Sequence, residues 1–214
     1  MSGTNGFGKG ITDEHTDSTE EDALAPVLGE IPGPILELAE SCRRFAMSAV
    51  GVELDYDAET LPVLDEYLKM AASGVADRPE LEELVTRAAA AYFGEVVRRR
   101  VDGFWRHRPG EPNDGWELCA RRALMSLCPL GVVLESLAKN PEHPGPSGEL
   151  RLSPEDEELA EQRLSSIPPV SEEEYYLLST RLEVIETVYE TLRDRMKAEG
   201  RESLVFEESD YDDE

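Results

Sequence analysis

Cysteine and histidine are scarce in this chain of 214 residues, which holds three of each: Cys42, Cys119 and Cys128, and His15, His107 and His143. Three scattered cysteines are too few for a disulfide framework in a chain this long. None has the CxxC or CxH spacing of a zinc site, and no Ser-His-Asp or Cys-His arrangement can be built from these positions. No metal and no cofactor is therefore expected, and the thiols read as the reduced thiols of a cytoplasmic protein. Residues 1–6 lack the charged-then-apolar run of a secretory signal. No apolar stretch approaches the roughly 18 residues a membrane span needs. Bases are scarce too, with 21 Lys and Arg against 47 Asp and Glu and a net charge of −26. Such a chain repels phosphate backbones and anionic lipid surfaces, which argues against nucleic acid and membrane as partners. A basic protein partner, or solubility alone, is what this charge suits.

The acids are unevenly placed. Residues 1–30 hold seven acids and one base, and residues 202–214 hold seven acids and no base. Half of the net charge thus lies in two tails. Residues 1–30, rich in Gly, Thr and acids, read as a disordered acidic tail. Residues 31–200 read as a single compact domain with a Pro-rich linker at about 140–150, and residues 201–214 as an acidic tail with a short apolar motif.

Within the body, helical spacing predicts three helices before residue 101. The first, opened by Ile31-Pro32-Gly33-Pro34 and stopped by Gly51, carries Ile35, Leu38, Ala39, Cys42, Phe45, Ala46, Ala49 and Val50. The second carries Leu61, Leu64, Tyr67 and Leu68. It must begin near Glu59 or Thr60, because Pro62 is tolerated only in a first turn, and Ser73-Gly74 should end it. The third has an Asp77–Glu80 capping pattern, an apolar stripe of Leu81, Leu84, Val85, Ala88, Tyr92, Phe93, Val96 and Val97, and Arg98, Arg99 and Arg100 at its negative end.

Residues 101–128 satisfy both strand alternation and helical spacing, and the turn-like run 109–115 favours a hairpin between two strands. After Pro129 comes a short helix. Ser153-Pro154 starts another, which Pro168-Pro169 ends. Ser171-x-x-Glu174 is a capping box opening a helix to about Ala198. That helix shows a coiled-coil-like seam of Tyr175, Leu178, Leu182, Ile185, Tyr189, Leu192 and Met196. Leu177, Val184 and Val188 widen the face, so packing inside a bundle competes with a homodimer through residues 171–199.

Two motifs fail in context. Gly3-x4-Gly8-Lys9 has phosphate-loop spacing, but Gly10 stands where Ser or Thr must bind Mg²⁺, and no strand precedes it. Asp55-x-Asp57-x-Glu59 with Glu66 mimics a calcium loop, but Thr60 replaces the turn glycine, and acids at a helix N-terminus explain it better. Two features survive. Arg98, Arg99, Arg106, Arg108, Arg121 and Arg122, with Trp105 and Trp116, concentrate positive charge and aromatic surface, a combination that grips a carboxylate, a phosphate or a partner loop. The alternative is pairing with the body's own acids. Leu204-Val205-Phe206, in its acidic surroundings, suits either a docking motif or a last strand on the body's own sheet.

Several phrases resemble an uncharacterised bacterial family of the kind seen in myxobacteria. They are Leu54-Asp55-Tyr56 leading to Leu64-Asp65, Tyr92-Phe93-Gly94-Glu95-Val96-Val97-Arg98-Arg99, Gly103-Phe104-Trp105, Cys128-Pro129-Leu130-Gly131-Val132, and Glu173-Glu174-Tyr175-Tyr176 with Arg181-Leu182-Glu183. The resemblance spans roughly residues 35–195 and implies a short antiparallel sheet after the Phe-Gly-Glu helix. It implies no activity.

The fold expected is α+β and mainly helical: three N-terminal helices, a small antiparallel sheet at about 103–128, then a short and a long C-terminal helix. The function expected is non-catalytic: an interaction or regulatory protein with a basic protein partner. An immunity- or inhibitor-type protein that neutralises a basic toxin or nucleic-acid enzyme is one alternative. The other is an enzyme using Glu95 with His107 or the arginines, which would require Trp105, Arg106 and His107 to line one deep pocket.

Overall fold

The computed structural model describes residues 30–75, 78–108 and 115–212. The expected N-terminal tail (apart from Glu30), the capping residue Asp77 and the hairpin turn 109–114 lie outside them. Seven α-helices and a three-stranded antiparallel sheet make up the described residues, which is the mainly helical α+β fold read from the sequence.

Helix α1 (Gly33–Val50) enters through Pro32-Gly33-Pro34, buries Ile35, Ala39, Cys42 and Ala46, and ends at Gly51, whose φ of 76° is the left-handed conformation glycine adopts freely. The calcium-like acids are local caps. Asp55 accepts the Asp57 N–H at 2.9 Å, and Asp57 accepts the Glu59 N–H at 3.0 Å. They brace a 3₁₀ turn, Ala58–Thr60, that leads into α2 (Leu61–Val75), which continues one residue past the expected Ser73-Gly74 stop.

Helix α3 (Pro79–Arg100) is the spine. Leu81 and Leu84, expected on its apolar stripe, are exposed, whereas nearly every residue from Val85 to Arg98 is buried. A helix covered all round needs small residues, and Ala88-Ala89-Ala90-Ala91 and Gly94 supply them. Helix α1 packs along one side of it, and α4 (Pro129–Ala138) and the sheet along others.

Strands β1 (Gly103–His107), β2 (Trp116–Ala120) and β3 (Ser126–Leu127) lie in sequence order, so residues 116–120 are strand and not helix. The register pairs Trp105 with Leu118, Arg106 with Glu117 and His107 with Trp116. A bridge from Ser126 to Arg151 extends the sheet edge. Helix α5 (Pro154–Ser165) starts on the expected Ser153 cap.

The largest departure from the sequence reading follows Ser171. The capping box is present, but it opens only the one-turn α6 (Glu172–Tyr175). The main helix α7 (Leu178–Ala198) begins anew, capped from a distance: Asp65 of α2 accepts the Leu178 N–H at 2.7 Å, the Ser179 N–H at 3.2 Å and the Ser179 hydroxyl at 2.7 Å. Burial outweighs these bonds and raises the Asp65 carboxyl above its ordinary value. Of the coiled-coil-like seam, Leu178, Leu182, Ile185, Leu192 and Met196 are buried within this single chain, while Tyr175 sits on α6, exposed. The stretch expected as a linker is pinned down. The Gly148 N–H reaches buried Glu135 at 2.7 Å, and Arg181 bridges Glu135 at 3.0 Å and the Gly148 carbonyl at 2.8 Å.

Candidate functional site

Strand alternation decides what the arginine and tryptophan cluster becomes. Successive strand residues point to opposite faces, so Trp105, His107, Trp116 and Leu118 share one face of the sheet, and Phe104, Arg106, Glu117 and Cys119 the other. Trp105, Arg106 and His107 therefore do not converge on one pocket, as an enzyme built on them would require.

The first face lies on the helices. Trp105 crosses α3 where residue 94 is glycine; a Cβ there would stand 2.2 Å from the indole. This close approach puts the Trp105 Nε1–H 2.6 Å from Glu95 Oε1. Arg98, one turn on, grips the same carboxylate with both arms of its fork, at 2.9 and 3.0 Å. Glu95 is 0% exposed and Arg98 3%, so the pair is sealed. His107 packs edge-on against Trp116, with ring centroids 4.9 Å apart, and Trp116 meets Trp105 in the same manner at 6.5 Å. Between the two indoles, α1 and α4 is an apolar slot lined by Ile35, Leu38, Pro129 and Leu130. Glu95 is a structural anchor here, not a proton carrier open to a substrate.

The second face carries the arginines, and the chain's own residues 206–212 cover it. Buried Glu117 is the hub: Ser126 donates to it at 2.8 Å, and Arg151, Arg108 and Arg106 approach at 3.1, 3.4 and 3.7 Å. Three guanidinium groups thus gather around one carboxylate. Across them lies the segment 206–212, ending in a 3₁₀ turn, Glu208–Tyr211. Arg106 donates to the Tyr211 carbonyl at 2.6 Å and to the Asp212 carboxylate at 2.9 Å. The Tyr211 side chain is buried, its hydroxyl 2.5 Å from the Ala120 carbonyl and 3.1 Å from that of Ala123, its ring edge-on to Phe104 at 5.9 Å.

The remaining predicted residues scatter. Arg99 stacks over Tyr56 at 4.4 Å, and Arg121 over Phe104 at 4.7 Å. Arg122 pairs with Asp102 at 3.5 Å. Leu204 and Val205 are exposed and form no strand; Phe206 is half-buried, its N–H on the Arg121 carbonyl at 2.8 Å. The residue that fastens the tail, Tyr211, escaped the sequence reading. Its only signal was an aromatic side chain inside a run of acids.

Burial pushes the Cys42 thiol up to about 12 and raises those of Cys119 and Cys128. Among the described residues, no group of His, Cys, Asp and Glu is placed to hold a metal, and no helix is long and apolar enough to cross a membrane. No protein-family model, curated protein or solved structure matches this chain.

Proposed function

We propose that this is a non-catalytic cytoplasmic interaction or regulatory protein whose acidic shell engages a basic protein partner. One observation carries this reading: four of its arginines are held by the body's own acids, while long runs of carboxylates face outward. Arg98, Arg106, Arg181 and Arg195 are spent on Glu95, on Glu117 and Asp212, on Glu135 and on Asp156. Outward stand carboxylates, for example Glu155, Glu157, Glu158 and Glu161 along α5 and Glu172, Glu173 and Glu174 on α6. Negative potential over such a face speeds encounter with a positively charged partner and makes the complex sensitive to salt. Cys42 and Cys119, buried and outside any disulfide, suit a reducing compartment.

Capture from native lysate with the full chain tests it. A stoichiometric basic protein is expected, bound at least about tenfold more weakly after Glu155, Glu157, Glu158 and Glu161 are replaced by Lys or when salt is raised. A partner whose affinity ignores both changes would defeat the reading.

A further inference from the structure

The arginine-bearing face of the sheet is covered by a segment of the chain itself, residues 206–212. We propose that this face is a receptor for an acidic, tyrosine-bearing peptide of a partner protein, and that residues 206–212 are its resident, exchangeable occupant. The proposal does not rest on the basic partner inferred above; it concerns another surface and a ligand of opposite charge.

The contacts made by the segment are those by which peptides are held in trans. A guanidinium grips a backbone carbonyl and the next carboxylate, as Arg106 does with Tyr211 and Asp212. One aromatic side chain fills a pocket: of residues 206–212 only Tyr211 is buried, Phe206 is half-buried, and the other five are exposed. Binding through one buried aromatic anchor beside an arginine is how short segments concentrate their affinity. The pocket is made by the receptor alone, from Phe104 and the carbonyls of Ala120 and Ala123. The charge of the face calls for an anion. Arg106 and Arg151 both approach the one buried carboxylate, Glu117, and Arg106 reaches on to Asp212 of the segment. The tether is short and exposed, fixed at its start by the Arg201 N–H on the Met196 carbonyl at 2.7 Å and by Arg193 on the Glu202 carbonyl at 3.2 Å. After the left-handed Gly200 (φ 70°), residues 201–205 are all exposed.

A tether this short presents its own tail at an effective concentration on the order of 1 mM. A foreign peptide of equal intrinsic affinity must compete with that tail; for an affinity of about 10 μM it binds the intact chain about 100-fold more weakly than a chain whose tail is released. The tail is a gate as well as a mimic of the ligand.

The experiment uses a fluorescent peptide with the sequence of residues 203–212, titrated by anisotropy into the full chain and into Tyr211→Ala. Binding about 100-fold tighter to Tyr211→Ala is expected, lost when Arg106→Ala is added or when the peptide's own tyrosine is changed to alanine. Equal binding to both chains, or binding indifferent to Arg106, would overturn the proposal. Hydrogen exchange on the unaltered chain gives a check that needs no variant. The Phe206 amide, bonded to Arg121, should exchange well before the Ala120 amide inside the sheet. Equal protection of the two would show that the tail does not open separately. A wild-type dimer with exchanged tails would assign the face to a second copy and overturn the assignment to a partner.

Discussion

Replacing Glu95 by Gln keeps the shape of the side chain and removes its charge, which isolates what the buried pair contributes. Arg98, at 3% exposure, then loses the carboxylate that holds both arms of its fork. Breaking a buried ion pair by removing one member costs about 3–5 kcal/mol. The amide oxygen of Gln still accepts the Trp105 indole N–H, which restores about 1 kcal/mol. The net loss should be about 3 kcal/mol, or roughly 6–12 °C in melting temperature for a chain of this size. Both tryptophans, Trp105 and Trp116, lie on this face of the sheet, so their emission follows its unfolding in urea. The double variant Glu95→Leu with Arg98→Met, which removes both charges, should lose less than Glu95→Gln alone. A cost below about 1 kcal/mol for Glu95→Gln, or a double variant worse than the single one, would refute the reasoning.

Two further predictions concern protons. The Tyr56 hydroxyl donates to Glu40 at 2.8 Å and, with Arg43, holds the Glu40 carboxyl below its ordinary value. A depressed carboxylate contributes stability that is present above its unfolded value and lost as pH falls through the folded one. Acid unfolding followed by circular dichroism should therefore show a shallower loss below the ordinary carboxylate range in Tyr56→Phe; an unchanged acid limb would count against the contact. For the cysteines, burial disfavours the thiolate of Cys42 and Cys119. At mildly alkaline pH an aromatic disulfide reagent should leave both unmodified in the native chain and modify all three thiols after unfolding, and fast native modification of Cys42 would contradict its placement.

What the sequence revealed is what is encoded within a few residues. The α1 stripe, the glycine that ends it and the capping box at Ser171 are local patterns, and the elements they predict are present or adjoin the expected position; β1 and β2 pair antiparallel, as a hairpin requires. The start of α7 was not legible because its cap, Asp65, lies 113 residues upstream on α2. For the arginines the lesson is one of period. Read as a run, Trp105-Arg106-His107 is a cluster; placed on a strand, it divides between two faces. The Glu95–Arg98 pair was within reach, since residues three apart on a helix are neighbours. Gly94 in the Phe-Gly-Glu phrase carries a packing reason visible only once Trp105 lies across it.

The two faces of the sheet differ in what they can afford to lose, and this bears on which of them is the working surface. On the helix side, Trp105 lies over buried Glu95, which grips buried Arg98, and breaking that pair removes a bonded charge from Glu95 where water does not reach. On the tail side, departure of residues 206–212 leaves Arg106 with Glu117 still 3.7 Å away. The carbonyls of Ala120 and Ala123 that receive the Tyr211 hydroxyl lie under the tail and regain water once it lifts. An empty state of that face costs the burial of the Tyr211 ring and its hydroxyl bonds, the packing of Phe206 with its bond to Arg121, and the contacts of the Arg106 fork, losses that a competing peptide of the same chemistry restores. Reversible exchange belongs on the arginine face, and structural permanence on the tryptophan face.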